Sequence, residues 1–349
     1  MAADVCVVGL GGSGLSAIEE LLRLKLRVVG VDARDVGGGA AGRNGGFLLA
    51  GAADFHHDAV AAWGRERAVA IHARTSALLA EAYADTTWGA RCTGSLRIAS
   101  DAAERDDCRA QFEAMRADGL PVERYVGPEG SGLLFPEDGV FQPLARCRAM
   151  AARAMMRGAV LHAGTPVVGF EPGRVVTARG EVRAPITIVA VDGGLARLVP
   201  ALAGRVSTAR LQMLATAPAH DVTFPRPVYY RYGYEYWQQL DDGRIALGGM
   251  RDRGGEAEWT ESAEPSEAVQ SLIEGCLREV VGTTAPVTHR WAASVGYTED
   301  GLPVAEEVRS DLWALGGYSG TGNLVGALLG RAVARAATGH DAPDLAIFT

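Results

Sequence analysis

The chain has 349 residues, of which 48% are hydrophobic and 22% are charged. A chain of this length holds two domains or one large one, and this composition is typical of a globular protein and excludes a largely disordered one. The net charge is −8 and the arginines are scattered singly, which argues against nucleic-acid binding and places the arginines on the solvated surface. No apolar run approaches the roughly 18 residues of a membrane span, and the N-terminus lacks the basic start of a signal peptide.

The cysteines and histidines do not follow the spacing of a metal site. The five cysteines are odd in number, widely spaced and without a Cys-x-x-Cys pair, which favours a reducing compartment over a disulfide framework or a zinc site. His56 and His57 lie beside Asp54 and Asp58. Adjacent residues at a helix start point in different directions, however, and either aspartate can cap the helix. We therefore expect a cytoplasmic protein with no metal, no membrane span and no nucleic-acid partner.

The first 32 residues predict one βαβ unit. An apolar strand at Val5–Val8 leads into a glycine-rich turn. Apolar residues then recur at helical spacing from Leu15 to Lys25, and a second strand at 27–31 ends just before Asp32. Strand, turn, helix, strand and acid together have the length of one βαβ unit.

The glycines of the turn match the pattern Gly-x-Gly-x-x-Gly. Gly9 makes the tight turn, Gly11 lets the backbone approach a diphosphate, and Gly14 lets the helix pack on the strand. The helix N-terminus supplies free N–H groups for the diphosphate. The Asp32 carboxylate would accept hydrogen bonds from ribose hydroxyls and would repel a 2′-phosphate, which disfavours NADP. The predicted contacts of this unit with a dinucleotide are Gly9, Gly11, Gly12, Ser13, Gly14, Asp32, Ala33 and Arg34.

The elements after this unit change in composition at about residue 205. Before that point the sequence predicts a glycine-rich loop at 37–46, one long helix at 58–84, a strand at 93–99, helices at 101–118 and 143–157, a strand at 159–162, a hairpin at 166–178 and a strand at 186–191. After it come β-branched and aromatic residues at 208–250, typical of antiparallel sheet, then a charge run at 256–267 expected to be solvated, a helix near 264–280, a glycine loop at 316–322 and a helix at 323–337. The two compositions interleave, so we expect domains that are discontinuous in sequence.

The second glycine loop carries a family resemblance. The stretch Gly42-Arg43-Asn44-Gly45-Gly46 resembles the D-amino-acid oxidase superfamily of FAD-dependent enzymes, and is closest in look to its gamma-glutamylputrescine oxidoreductase, glycine oxidase and sarcosine oxidase-like branch. Further similarity extends along nearly the whole chain, including the segment from Trp291 to Pro303. The resemblance implies non-covalent FAD and adds these contacts: Gly42, Arg43, Asn44, Gly45, Gly46, Val167 at the adenine, Asp192 and Gly193 in a flavin-side turn, and Gly317, Ser319, Gly320, Thr321, Gly322 and Asn323 at the pyrimidine edge.

The resemblance implies an α/β fold with two domains. One is a Rossmann-like FAD-binding domain of the glutathione-reductase type, expected at residues 1–50, 145–205 and 285–349. The other is a mostly antiparallel substrate domain with helices, expected at 51–144 and 206–284. The helix near 58–84 belongs to the second domain, with packing against the first left open. A glycine loop that opens a helix near 323 also places positive potential where reduced flavin develops negative charge.

Three departures from the family pattern bear on function. Amino-acid oxidases of the superfamily hold the substrate carboxylate with an Arg-Pro pair, and here that pair is Val295-Gly296. Arg290 or Arg231 could replace the arginine, although an ordinary ion pair is the favoured interpretation for both. No cysteine follows Cys276, which excludes the covalent flavin link of sarcosine-oxidase relatives. The same relatives activate oxygen with a lysine, and the only lysine of this chain is Lys25, at the end of the first helix.

These observations predict an FAD-dependent oxidoreductase, of EC class 1.4 or 1.5, that oxidises a C–N bond of a small amine. The alternatives are an amino-acid oxidase or dehydrogenase with a relocated carboxylate clamp, and a flavoprotein with structural FAD that serves a partner. The electron acceptor, O2 or another, is left open. An aromatic pocket suits an amine by cation–π contact, and alternation predicts Tyr230, Tyr232, Tyr234 and Tyr236 on one strand face. The candidate pocket residues are Tyr230, Tyr232, Tyr236, Trp237, Tyr297 and Arg290.

Overall fold

The computed structural model describes residues 1–348, which divide into two compact units. The first unit comprises Met1–Asn44, Gln142–Ala209 and the chain from Ser294 onward. The second unit comprises Gly45–Phe141 and Arg210–Ala293. Both units are discontinuous in sequence. The assignment of FAD binding to one region and substrate binding to the other stays a prediction.

The residues described form strands and helices in both units. The strands are β1 (Val5–Val8), β2 (Val28–Val31), β3 (Phe47–Leu48), β4 (Arg91–Cys92), β5 (Ser95–Ile98), β6 (Glu123–Gly127), β7 (Gly130–Phe135), β8 (Gly139–Val140), β9 (Val160–His162), β10 (Val167–Glu171), β11 (Arg174–Thr177), β12 (Gly180–Arg183), β13 (Ile186–Val189), β14 (Ser207–Pro218), β15 (Val228–Tyr230), β16 (Glu235–Gln239), β17 (Arg244–Gly249), β18 (Val287–Tyr297), β19 (Val304–Arg309) and β20 (Leu312–Gly316). The α-helices are α1 (Gly12–Arg23), α2 (Ala40–Arg43), α3 (His56–Trp63), α4 (Arg65–Ala84), α5 (Ala102–Ala117), α6 (Pro143–Met156), α7 (Leu195–Leu198), α8 (Arg251–Gly254), α9 (Glu267–Glu279) and α10 (Val325–Ala337). Short 3-10 turns lie at Thr86–Trp88, Pro200–Leu202, Arg231–Gly233, Gly255–Glu258 and Pro343–Ile347.

The first unit is built on a largely parallel sheet of order β19-β20-β13-β1-β2-β9. Strands β1, β2, β9, β13 and β20 pair in parallel and β19 closes the edge antiparallel. The all-apolar β1 and β2 are fully buried, as strands covered on both faces must be. One face packs on α1, where a Cβ at Gly30 would lie 3.0 Å from Cδ1 of Ile18. The other face packs on the small antiparallel sheet β10-β11-β12.

The second unit centres on a mostly antiparallel sheet of order β18-β14-β17-β16-β15-β5-β7-β6. Among the strand pairs whose register is described, only β15 and β5 run parallel to each other. Helix α9 covers one face, where Val269, Ile273 and Leu277 join Leu247 and Trp237 in an apolar core. The strands β3, β8 and β4 form a smaller antiparallel sheet. The predicted fold class, a Rossmann-like domain with a mostly antiparallel second domain, is confirmed.

Several local predictions are wrong for identifiable reasons. The predicted helix 58–84 is two helices, because Gly64 has φ +86° and breaks the chain between α3 and α4. The N-cap of α3 is Phe55, and neither Asp54 nor Asp58 caps it. The charge run is not fully solvated, because Glu258, the last residue of the 3-10 turn Gly255–Glu258, is buried. Among residues 1–348 no helix is long and apolar enough to cross a membrane.

Candidate functional site

The first glycine turn leaves backbone exposed to a ligand at the start of α1. Gly9 has φ +109°, and a Cβ there would lie 2.3 Å from the carbonyl oxygen of Ala190. A Cβ at Gly14 would lie 1.9 Å from the carbonyl oxygen of Gly9, so α1 can approach β1 only because both residues are glycine. No side chain caps the helix at Gly11, and a Cβ at Gly12 would meet nothing within 4 Å. The turn is therefore a cradle of free N–H groups beside open space.

Asp32 lies at the carboxyl end of β2, next to this turn. Its Oδ2 accepts the Leu10 N–H at 2.7 Å and its Oδ1 accepts the Arg34 N–H at 2.8 Å. Burial raises the pKa of the carboxyl above its ordinary value, although both N–H donors oppose that shift. A carboxylate has about four acceptor sites, so two remain for ribose hydroxyls. The Asp32 carbonyl also accepts the Thr165 N–H, which brings the start of β10 and Val167 to the same end of the sheet.

The C-terminal helix packs directly on the first helix. A Cβ at Gly330 would lie 2.2 Å from the carbonyl oxygen of Ser13, so α10 and α1 touch through their backbones. The Tyr318 ring is buried, and it lies 3.1 Å from a Cβ placed at Gly322. This packing carries the loop before α10, residues 316–323, to the glycine turn at the start of α1.

The part of the second glycine loop that belongs to the first unit, residues 37–44, is held to the first glycine turn and to the loop before α10. The Gly37 N–H donates to the Leu10 carbonyl at 3.0 Å. At the other end, Asn44 Nδ2 donates to Asn323 Oδ1 at 3.1 Å and Asn323 Nδ2 returns a bond to Asn44 Oδ1 at 3.2 Å. The buried Arg146 donates to the Asn323 carbonyl at 2.8 Å. Three predicted segments, far apart in sequence, therefore meet at one place.

Asp192 joins the end of β18 to the loop before α10. Its carboxylate accepts the N–H groups of Gly296, Gly317 and Tyr318 at 3.2, 3.0 and 3.2 Å. Its own φ is +53°, a conformation that aspartate tolerates better than most residues. Burial raises the pKa of this carboxyl to about 6, against the opposing effect of its N–H donors. A Cβ at Gly296 would lie 2.8 Å from Asp192 Oδ1, so this turn has no room for a side chain there.

These features fit a bound dinucleotide. Free N–H groups lie beside open space at Gly12, a carboxylate with spare acceptor sites lies at Asp32, and a glycine loop stands at the start of α10. A family model described as FAD dependent oxidoreductase (DAO) matches residues 4–336.

The chain belongs to this DAO family. It is therefore an FAD-dependent oxidoreductase, and FAD is its cofactor. The chain is 29% identical to the probable oxidoreductase OrdL of Rhizobium meliloti (strain 1021), over 97% of this chain and 83% of that protein. It is 24% identical to the gamma-glutamylputrescine oxidoreductase of Escherichia coli (strain K12), over 95% of this chain and 82% of that protein.

Solved structures share the fold. The crystal structure of glycine oxidase from Geobacillus kaustophilus matches with a TM-score of 0.80 and 21% identity, over 97% of this chain and 95% of that chain. In this DAO-family oxidoreductase the structure brings the predicted contacts of the first unit together at the ends of β1, β2, α1 and α10. Gly45 and Gly46 fall in the second unit, and each predicted contact remains a prediction as a ligand to FAD.

The second unit has an aromatic cluster that we define as Phe47, Tyr229 and Tyr236. The ring centroids of Phe47 lie 5.1 Å from Tyr229 and 6.0 Å from Tyr236, both edge to face. Tyr229 and Tyr236 lie opposite each other in the β15–β16 register, which puts them on one face. A Cβ at Gly45 or Gly248 would lie 3.2 or 2.7 Å from the Tyr236 ring. Both glycines therefore make room for that ring.

The predicted alternation of tyrosines is wrong. Strand β15 ends at Tyr230, and a 3-10 turn follows in which Arg231 and Tyr232 have positive φ. The turn reverses the chain, so Tyr230 lies on the face opposite Tyr236. Tyr232 donates its hydroxyl to Asp107 at 3.2 Å.

Two further pocket candidates, Trp237 and Tyr297, lie outside the aromatic cluster. Trp237 is 2% exposed and packs on Phe224 and Tyr230 in the core under α9, and its role in a pocket stays a prediction. Tyr297 ends β18 and belongs to the first unit.

The two arginines considered as carboxylate clamps both face carboxylates of the protein. Arg290 is paired with Glu274 and donates to Gln270 at 3.0 Å. Arg231 is paired with Glu235 and with Asp252, the latter at 2.8 Å, and hydrogen bonds to both raise the pKa of its guanidinium. The favoured interpretation of both as ordinary ion pairs agrees with this geometry.

Two residues of the site were accessible to sequence reasoning only in part. Arg146 corrects the expectation that the arginines are solvated: it shares the buried stripe of α6 with Cys147 and Met150, at helical spacing. That periodicity was a usable signal. Asp192 was predicted as part of a turn, but its three N–H donors come from residues about 100 or more positions away, which no local pattern encodes.

The histidine pair has a structural environment. His56 Nε2 lies 2.6 Å from Asp118 Oδ2, and Arg65 also contacts this carboxylate. Within residues 1–348 no group of three or more His, Cys, Asp or Glu side chains is arranged to hold a metal ion.

Proposed function

We propose that this DAO-family oxidoreductase oxidises a C–N bond of a small amine that lacks an α-carboxylate. The name of one relative supports an amine substrate, because that enzyme is a gamma-glutamylputrescine oxidoreductase. When bound, FAD would supply a two-electron hydride acceptor for oxidation of the carbon that carries nitrogen.

The observation that carries the proposal is the carboxylate clamp that this chain lacks. The position of the family arginine holds Val295, which is 9% exposed. The position of the family proline holds Gly296, whose N–H donates to Asp192 and whose surroundings exclude a side chain. Arg231 and Arg290 are paired with carboxylates of the protein. A substrate carboxylate therefore has no counter-ion among the three positions considered.

The aromatic cluster supplies a surface that suits an amine. A tyrosine ring attracts an ammonium group by about 0.5–2 kcal/mol, so this cluster would offer cation–π contacts to a protonated amine. The amine must lose its extra proton before its C–H bond breaks. The oxidised substrate leaves as an imine, to which water adds, and the products are a carbonyl compound and a smaller amine or ammonia.

The decisive experiment is anaerobic bleaching of the flavin by matched substrate pairs. Putrescine and ornithine differ only in the α-carboxylate, as do cadaverine and lysine. We expect the amines to bleach the flavin at least tenfold faster than their carboxylated partners. The reverse order would favour the alternative of an amino-acid oxidase or dehydrogenase with a relocated clamp. Bleaching by dithionite alone, with no amine effective, would favour structural FAD.

The state of the flavin and its acceptor need separate tests. We propose that FAD is bound without a covalent link, so acid precipitation should release all of the yellow colour. Lys25, the only lysine of the chain, lies exposed just beyond the end of α1, about 18 Å along the helix from the glycine turn. We therefore expect slow reoxidation of the reduced enzyme by air. Reoxidation within a fraction of a second would contradict this.

A further inference from the structure

The second unit contains a cleft of about 330 Å³, which is within the size range of small-molecule sites. Its lining is mainly polar and includes two arginines, two glutamines and one aspartate: Arg91, Arg226, Gln238, Gln239 and Asp241. No part of the function proposed above uses this cleft.

Arg226 lies in a backbone segment of restricted conformation at the edge of the cleft. It lies between Pro225 and Pro227, and each proline fixes its own φ and restricts the residue before it. The segment is tied down on both sides. The Phe224 N–H donates to Gln239 Oε1 at 2.9 Å, and the Pro227 carbonyl accepts the Leu96 N–H at 2.9 Å. The backbone that carries Arg226 is therefore fixed before a ligand binds, and only the side chain has to be ordered.

The Arg226 guanidinium has no protein counter-ion. Throughout the described residues, no carboxylate lies within 4 Å of it. Its Nε is buried against Gly94, so the terminal nitrogens are the donors that remain for a ligand in the cleft. The two terminal nitrogens of arginine also form a planar fork that matches the two oxygens of a carboxylate.

The other charges of the cleft are already paired with each other. Arg91 Nη2 lies 2.6 Å from Asp241 Oδ1 at its rim. The Gln239 amide donates to the backbone carbonyls of Ala219, Val222 and Gly243. The net charge of the lining is therefore +1, and it resides on Arg226.

We propose that this cleft binds a small carboxylate, with Arg226 as its counter-ion. The site is independent of amine oxidation and would exist in a flavoprotein of any activity. The ligand pairs with the terminal nitrogens of Arg226, and the neighbouring Arg91–Asp241 pair modulates its affinity. Removing the negative charge of Asp241 would release Arg91 to the ligand, whereas removing Arg91 would leave Asp241 to repel it.

The test is isothermal titration of the purified flavoprotein with succinate, against sodium chloride of equal ionic strength and against inorganic phosphate. We expect saturable succinate binding that weakens at least tenfold in Arg226→Gln and tightens severalfold in Asp241→Asn. Arg124→Gln removes an exposed arginine of the same unit, 65% exposed and paired with Glu113, and should leave succinate binding unchanged.

The proposal fails if wild-type protein gives no saturable heat with succinate, if Arg226→Gln binds as wild type does, or if phosphate binds more tightly than succinate. Should Arg226→Gln not fold, as judged by circular dichroism, Arg226→Lys keeps the charge but not the fork. We expect it to weaken succinate binding at least threefold, and equal affinity would overturn the proposal. A colourless protein would refute the FAD assignment without affecting this result.

Discussion

Asn44 and Asn323, the only asparagines in the chain, exchange hydrogen bonds through their side-chain amides. They lie 279 positions apart, one at the end of the second glycine loop and the other after the C-terminal glycine loop. Asn44 Nδ2 also reaches the carbonyl oxygens of Ala40 and Ala41, so it closes the short helix α2 as well. The pair therefore fixes two predicted FAD contacts to each other before any ligand binds.

Replacing either asparagine should loosen both loops. Asn323→Ala removes two hydrogen bonds of about 0.5–1.5 kcal/mol each, and we expect a severalfold to tenfold increase in the dissociation constant for FAD. Asn44→Ala also loses the hydrogen bonds to Ala40 and Ala41, so its effect should be at least as large. Because the two amides share their mutual bonds, the double variant should be little worse than Asn44→Ala alone. Fluorescence titration of the apoprotein with FAD measures these dissociation constants. If the losses of binding free energy in the two single variants added up in the double variant, the amides would act separately.

Sequence periodicity predicted the first unit well, because its strands and helices are set by local patterns. The βαβ unit, its glycine turn and α10 all lie where hydrophobic spacing and glycine place them. The prediction of one continuous strand through the tyrosine-rich segment is wrong, because Arg231 and Tyr232 have positive φ and form a turn inside a run of good strand formers. The Asp192 contacts were unpredictable for another reason, since their partners are brought together only by tertiary folding.

Two glycines of the first turn, Gly12 and Gly14, should affect different properties when replaced by alanine. Gly14→Ala would place a Cβ 1.9 Å from the Gly9 carbonyl oxygen, so helix and strand must separate. We expect a loss of roughly 2–4 kcal/mol in the free energy of unfolding of the apoprotein. Gly12→Ala meets nothing within 4 Å and should keep that stability within about 0.5 kcal/mol, while its methyl group weakens FAD binding. Urea denaturation of the apoprotein measures the stability of each variant, and titration with FAD measures its affinity. Equal losses of stability in Gly12→Ala and Gly14→Ala would contradict this prediction.

Glu258 and Arg210 form a buried ion pair in the second unit. Glu258 is 2% exposed, its Oε1 lies 2.6 Å from Arg210 Nη2, and Gln212 donates to its Oε2 at 2.8 Å. Burial alone would raise the pKa of Glu258, but the hydrogen bonds from Arg210 and Gln212 hold it below its ordinary value. The stability from this group is therefore present above about pH 4.5 and is lost as the pH falls.

Glu258→Gln should cost about 3–5 kcal/mol in the free energy of unfolding, because it leaves the Arg210 charge buried without its partner. Glu256→Gln, in the same charge run, removes an exposed carboxylate and should change that free energy by less than about 0.5 kcal/mol. Urea denaturation at pH 7 checks both variants. A Glu258→Gln cost no larger than that of the control would mean that the pair contributes no net stability.

Asp138 should make the protein less stable as the pH rises. It is 5% exposed, accepts the Ser95 hydroxyl at 2.6 Å and the Ala50 N–H at 3.0 Å, and burial raises the pKa of its carboxyl to about 7. Between about pH 4 and 7 the folded chain then holds a proton that the unfolded chain has released. The contribution of Asp138 to the free energy of unfolding therefore falls through this range and is constant above it.

Asp138→Asn should remove this dependence, because an amide does not titrate and the Ser95 hydroxyl can turn to accept from it. Relative to wild type, the variant should gain roughly 2–4 kcal/mol in the free energy of unfolding between pH 5 and pH 8. Taking the difference cancels the opposite effect of His72, whose pKa burial lowers to about 4. Glu123→Gln, at an exposed carboxylate, should track wild type at every pH. If Asp138→Asn and wild type instead changed in parallel from pH 5 to 8, the carboxyl would be ionised throughout and its burial would be offset by Ser95 and Ala50.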